Sequence, residues 1–145
     1  MGGSKTAPGD VEMSIWIPAY SRDEIIERAK SLIGREVARS TNFWASQGKI
    51  TCLEMVGYAY GWPDEIPRTW DERAQMIEKM QAVLGWRWRQ GHIQPADLLV
   101  FEVRGPHLGV YVGDGRFIHC GAARVIEASL ERFGPYLKGG LTWVF

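Results

Sequence analysis

His107-Leu108-Gly109-Val110-Tyr111-Val112-Gly113-Asp114-Gly115-Arg116-Phe117-Ile118-His119 reads as a β-hairpin. Apolar, β-prone residues stand on either side of a Gly-Asp-Gly turn signal. A two-residue loop would set Val110 opposite His119. A three-residue loop, with Gly115 supplying the left-handed conformation, pairs Val112 with Arg116, Val110 with Ile118 and Leu108 with Cys120. The second register gathers an apolar set on one face and is the expectation. The other face then carries His107, Gly109, Tyr111, Phe117 and His119. His119 faces Gly109, and His107 is its diagonal neighbour at ~7–8 Å. Gly109, lacking a side chain, leaves room beside the imidazoles. Two of the chain's three histidines thus share one face of one hairpin.

Short strands surround this hairpin. Asp97–Val103, Arg124–Ala128 and Leu141–Phe145 are apolar and β-prone, and Gly105-Pro106 marks a turn. Helices fill the first half. Ser21 with Glu24 forms a capping box ahead of Ile25, Ile26, Ala29, Leu32 and Ile33, so a helix is expected over 22–33, stopped by Gly34. Thr51 stands at the N-cap of a second helix, 52–60, ended by Gly61. Thr69 with Glu72 opens a third, which continues to Gly85. Helices followed by an antiparallel sheet define an α+β fold. Residues 1–14 read as a flexible arm and 15–145 as a single domain.

Composition narrows the function classes. The chain has 145 residues, 46% hydrophobic and 23% charged, enough for a core without metal or disulfide staples. Lys plus Arg and Asp plus Glu each number 17, so no basic nucleic-acid footprint stands out. No apolar run of ~18 residues offers a membrane span. Residues 1–11 lack the apolar stretch of a signal peptide, so synthesis in the cytoplasm is expected. Two cysteines make no disulfide framework. The seven tryptophans suit a core better than a binding surface. Trp86-Arg87-Trp88-Arg89 reads as an edge strand whose Arg stems lie along apolar surface.

Cys52 heads its helix, where unpaired N–H groups favour a thiolate. A helix-terminal thiol beside a sheet that presents a histidine pair is a nucleophile–base–orienter arrangement: Cys52 attacks, His107 takes its proton and His119 fixes the imidazole. Zinc on Cys52, His92, His107 and His119 would call for a CxxC or HxxxH spacing that the chain lacks. No metal or other cofactor is expected, and Cys120 falls on the core face of its strand.

The 107–119 run closely resembles the hairpin of the NlpC/p60-type papain-like cell-wall cysteine peptidases. Ala96-Asp97-Leu98-Leu99-Val100-Phe101 looks like that family's Gly-Asp-Leu-Val-Phe strand, and the order Cys, His and a polar residue twelve positions later also matches. The resemblance covers residues 22–145. It implies a papain-like fold with N-terminal helices packed on a central antiparallel sheet. It also implies a Cys52–His107–His119 triad and a peptidoglycan stem peptide as substrate, cut between γ-D-glutamate and diaminopimelate or lysine. The family's Asp before the cysteine and Ser-Gly after it are Thr51 and Leu53-Glu54 here. Its upstream Tyr, an oxyanion donor, has no counterpart between 35 and 50, where Phe43 and Trp44 stand. Walls of the substrate groove are expected from Trp44, Trp62, Tyr111 and Phe117.

The short length and layout look most like the branch found in phage tails and gene transfer agents. That branch implies tail hub or baseplate proteins as partners and a place in a virion-like tail tip. The competing expectation is a structural tail-hub or tail-assembly protein whose triad is vestigial. A third is amide or acyl-transfer chemistry through the same thioester.

Overall fold

The computed structural model describes residues 17–37, 50–62, 78, 80–81, 85–103 and 106–145. Helix α1 spans Arg22–Lys30 and α2 spans Cys52–Tyr60. Strands follow as β1 (Trp86–Arg89), β2 (Leu98–Glu102), β3 (Pro106–Gly113), β4 (Arg116–Cys120) and β5 (Val125–Ser129). A one-turn helix α3 (Leu130–Phe133) and a 3₁₀ turn (Gly134–Tyr136) lead into β6 (Leu137–Trp143). The six strands form one antiparallel sheet in the order β1-β6-β2-β3-β4-β5. The fold is α+β, as the sequence implies.

Helices α1 and α2 begin with reciprocal caps. In α1 the Glu24 N–H donates to Ser21 Oγ at 3.2 Å, and the Ser21 N–H donates to Glu24 Oε1 at 3.1 Å. The regular helix ends at Lys30, short of the expected 33; tighter turns carry the chain through Leu32 and Ile33 to Gly34. Ile33 is exposed there. Helix α2 has the expected bounds. It buries Cys52, Leu53, Met55, Val56, Gly57, Ala59 and Tyr60, so it is apolar nearly all round, as a central helix must be. Its left-handed terminus at Gly61 fits only glycine: a Cβ there would lie 2.6 Å from the Tyr20 ring. Of the helix expected over 69–85, only Glu78, Met80 and Gln81 are described; they are helical, with Met80 buried. The arm 1–14 and Trp44 lie outside the described residues.

Strand alternation separates two apolar layers. The helices cover one face, where Leu98, Val100, Leu108, Val110, Ile118, Cys120, Val125 and Leu141 meet α1 and α2. On the other face Leu99, Phe101 and Phe117 form a second cluster, capped by Leu130, Phe133 and Leu137. Among the described residues, tryptophans cluster at the β1 end. Tyr60 stacks on Trp62 at 5.2 Å, Trp86 meets Tyr60 edge-on at 5.7 Å, and Trp143 meets Trp86 at 5.3 Å. Strand β1 pairs only with β6 and is an edge, as its sequence suggests.

The hairpin combines the two registers that its sequence allows. Asp114 and Gly115 both have positive φ, at 54° and 72°, which is a two-residue mirror-image turn and not the three-residue loop expected. A bulge between Tyr111 and Gly113 then absorbs one residue. Gly113 rather than Val112 therefore faces Arg116, while Val110 faces Ile118 and Gly109 faces His119. The site-bearing part of the register is the expected one. Just before β2, Ala96 has φ of 73°, a left-handed conformation that glycine adopts more readily. The following Asp97 is buried, and its Oδ2 accepts from the Gln94 N–H at 2.8 Å. Burial raises its carboxyl above the ordinary value.

Candidate active site

The histidines meet as the hairpin geometry requires. His107 Nε2 and His119 Nδ1 are 2.8 Å apart, a direct imidazole–imidazole hydrogen bond across β3 and β4. The rings are perpendicular, with centroids 5.1 Å apart. His119 pairs with Gly109 on one side and Ile126 on the other. The space over Gly109 is taken by the Phe117 ring: a Cβ on Gly109 would lie 2.8 Å from Phe117 Cδ2. Glycine therefore makes room for a phenyl ring, and that ring in turn supports the imidazole.

His119 is only 4% exposed. Phe117 lies at 4.8 Å in a tilted stack, and Phe133 from α3 lies at 5.1 Å, nearly perpendicular. This apolar surround penalises the charged form and pushes the His119 imidazole down from 6.5 to about 4, so the ring is neutral at pH 7. Its second nitrogen, Nε2, is buried without a hydrogen-bond partner among the described residues. His107, at the start of β3, is half-buried and packs its ring 6.1 Å from Phe101.

Cys52 is the first residue of α2 and is 5% exposed. The helix packs against β3 and β4, the strands that carry the histidines. Thr51 Oγ1 accepts from the Glu54 N–H at 3.1 Å, and Glu54 Oε1 accepts from the Thr51 N–H at 3.1 Å. Thr51 and Glu54 thus form a capping box. It fixes the helix end on which the thiol sits and ties the Glu54 carboxylate back to the N-cap backbone. Cys52 packs within the main apolar cluster.

Of the expected groove residues, Phe117 is fully buried and Trp62 is 7% exposed, so both pack in the core. Phe117 fills the layer beneath α3, and Trp62 is held by Tyr60 and Trp86. Tyr111 is partly buried; its hydroxyl accepts from the Gly115 N–H at 2.9 Å, so it braces the turn of its own hairpin. Phe133 was not a sequence candidate. Its only signal is the spacing of Leu130 and Phe133 after the strand ending at Ser129. Among the described residues no cluster of three or more His, Cys, Asp or Glu is placed to hold a metal ion. No helix among them is long and apolar enough to cross a membrane.

Neither a protein-family model nor a curated protein matches this sequence. Solved structures do match in shape. An NlpC/p60 family protein from Bacillus cereus superposes with TM-score 0.62 at 21% identity, over 89% of this chain and 42% of that one. The peptidoglycan hydrolase RipB from Mycobacterium tuberculosis gives TM-score 0.57 at 17% identity, over 100% of this chain and 73% of that one. RipD from the same organism, a non-catalytic NlpC/p60 domain protein adapted to peptidoglycan binding, gives 0.55 at 18%, over 87% and 100%. The chain spans less than half the length of the Bacillus cereus protein. The fold is the papain-like α+β fold of NlpC/p60 proteins.

Proposed function

We propose that this chain is a cysteine endopeptidase that hydrolyses peptidoglycan stem peptides, with Cys52 as nucleophile, His107 as base and His119 as orienter. The observation that carries the reading is the 2.8 Å bond between His107 and His119, on strands packed by the helix that Cys52 heads. Because that bond engages Nε2 of His107, the nitrogen assigned to the thiol is Nδ1. In this mechanism Nδ1 takes the thiol proton as Sγ attacks the scissile carbonyl. The C–N bond breaks, the amine leaves with the proton from His107, and water then hydrolyses the thioester with His107 as base again. A neutral His119 supports this cycle by accepting from His107 Nε2–H and stabilising the imidazolium that forms.

The bond assigned to the enzyme joins γ-D-glutamate to diaminopimelate or lysine. That assignment, like the proposed delivery on a phage-like tail tip with hub or baseplate partners, rests on the resemblance of the hairpin and layout to that branch. Absence of the protein from purified particles would remove the tail-tip reading.

A second reading has its own support. The shape likeness extends to the non-catalytic RipD, and Thr51 and Glu54 stand where the peptidases carry Asp and Gly. In that reading the chain is a tail-hub or wall-binding protein and the triad is idle. One experiment separates the two. Wild type and Cys52→Ala are incubated with defined stem peptides and the products weighed. Cleavage by wild type, lost by at least ~100-fold in a folded Cys52→Ala, is expected of a nucleophile. Folded wild type that binds stem peptide and leaves it intact supports the second reading.

A further inference from the structure

His119 is neutral, and its two nitrogens have unequal surroundings. Nδ1 meets His107 Nε2, whereas Nε2 is buried with no polar partner among the described residues. One nitrogen carries the proton. If Nδ1 carried it, the buried Nε2 would present a lone pair to an aromatic surround, which offers no donor. If Nε2 carries it, the N–H can rest against an aromatic π face, a weak but favourable contact. The Phe133 ring lies at 5.1 Å and 69° to the His119 plane, an edge-to-face arrangement. The same ring meets Phe117 edge-on at 5.4 Å and Phe101 at 6.2 Å, so it is held from three sides.

We propose that Phe133 is a positioning residue: with Phe117 it cages His119 as the neutral Nε2–H tautomer, leaving Nδ1 as a lone-pair acceptor for His107 Nε2–H. This rests on the triad reading for its catalytic meaning, but the tautomer is a property of the fold. Among the described residues, the group facing His119 from β3 is His107, and from α3 it is the Phe133 ring. The charged pair Arg116 and Glu127, at 3.0 Å, lies on the opposite face of β4 and β5 by strand alternation. Glu131 and Arg132 of α3 are exposed. The cage therefore works by excluding water, consistent with the depression of the His119 imidazole to about 4.

The test is a long-range ¹H–¹⁵N correlation of the imidazole rings in the full chain, followed through the histidine titration range. In wild type, His119 Nε2 is expected protonated and Nδ1 bare, unchanged as pH falls through the ordinary histidine value of ~6.5. In Phe133→Leu the ring is expected to titrate closer to that value and to show both tautomers, and kcat to fall with KM little changed. An Nδ1–H tautomer or an ordinary titration in wild type overturns the proposal without any variant. So does a folded Phe133→Leu that leaves both signals unmoved. Stem-peptide cleavage by the same samples separates the two claims. Cleavage with the Nδ1–H tautomer overturns the cage alone, and a caged tautomer in a protein without cleavage overturns the peptidase reading alone.

Discussion

Gly109 sets the distance between the histidines by what it lacks. Opposite His119, any Cβ would meet Phe117 Cδ2 at 2.8 Å and the Ile118 carbonyl at 3.1 Å. Backbone cannot yield as a flexible side chain does, and Phe117 is itself locked by Phe101 and Phe133. Gly109→Ala is therefore expected to lower stability by ~1–3 kcal/mol, as overpacking does, read as a shift of the urea midpoint. The imidazole pair was legible from alternation alone, because residues twelve apart across a tight turn fall on one face. The layer those residues enter was not legible. Phe117 was expected at a groove because the implied fold puts it near Cys52 and His107, but alternation says nothing about what covers the histidine face. Here α3 does, and a four-residue helix leaves almost no periodic signal.

Helix α2 is fixed at its start by its own N-cap residues. Thr51 and Glu54 satisfy two N–H groups at the helix start, one of them next to the thiol. Thr51→Ala is expected to cost ~0.5–2 kcal/mol, measurable by thermal or urea unfolding. Its effect on cleavage should exceed its effect on stability if the cap also fixes the Cys52 rotamer. The bounds of α2 were readable because Thr51 and Gly61 punctuate both ends. The hairpin turn was readable only in part. A two-residue turn with a bulge and a three-residue loop both give Val110 opposite Ile118, so the hydrophobic pattern cannot choose between them. The two positive φ values at Asp114 and Gly115 decide it.

For the molecule as a whole, His119 links stability to acid. Its imidazole is held down from 6.5 to about 4 in the fold. Between those values the unfolded chain takes up a proton that the native state refuses, so stability falls as pH drops through that window and is unaffected above it. The full effect is on the order of 3 kcal/mol. Urea unfolding across the window should show this slope, and a folded His119→Gln should flatten it. The fold class was legible because helices precede strands along the chain. The sheet order was not: residues 129–140 carry no strong pattern, and nothing local announces that β6 inserts between β1 and β2.

That insertion orders events during synthesis. Strands β2 to β5 are neighbours in sequence and can pair as they leave the ribosome, but β1 has no partner until Leu137–Trp143 emerges. Until then the Trp86 strand waits with an open hydrogen-bonding edge, and the nascent chain carries its tryptophan-rich end uncovered. The closing step of folding is thus the arrival of β6 between β1 and β2, and a ribosome stalled before it leaves a four-stranded sheet with its β2 edge open and β1 unpaired.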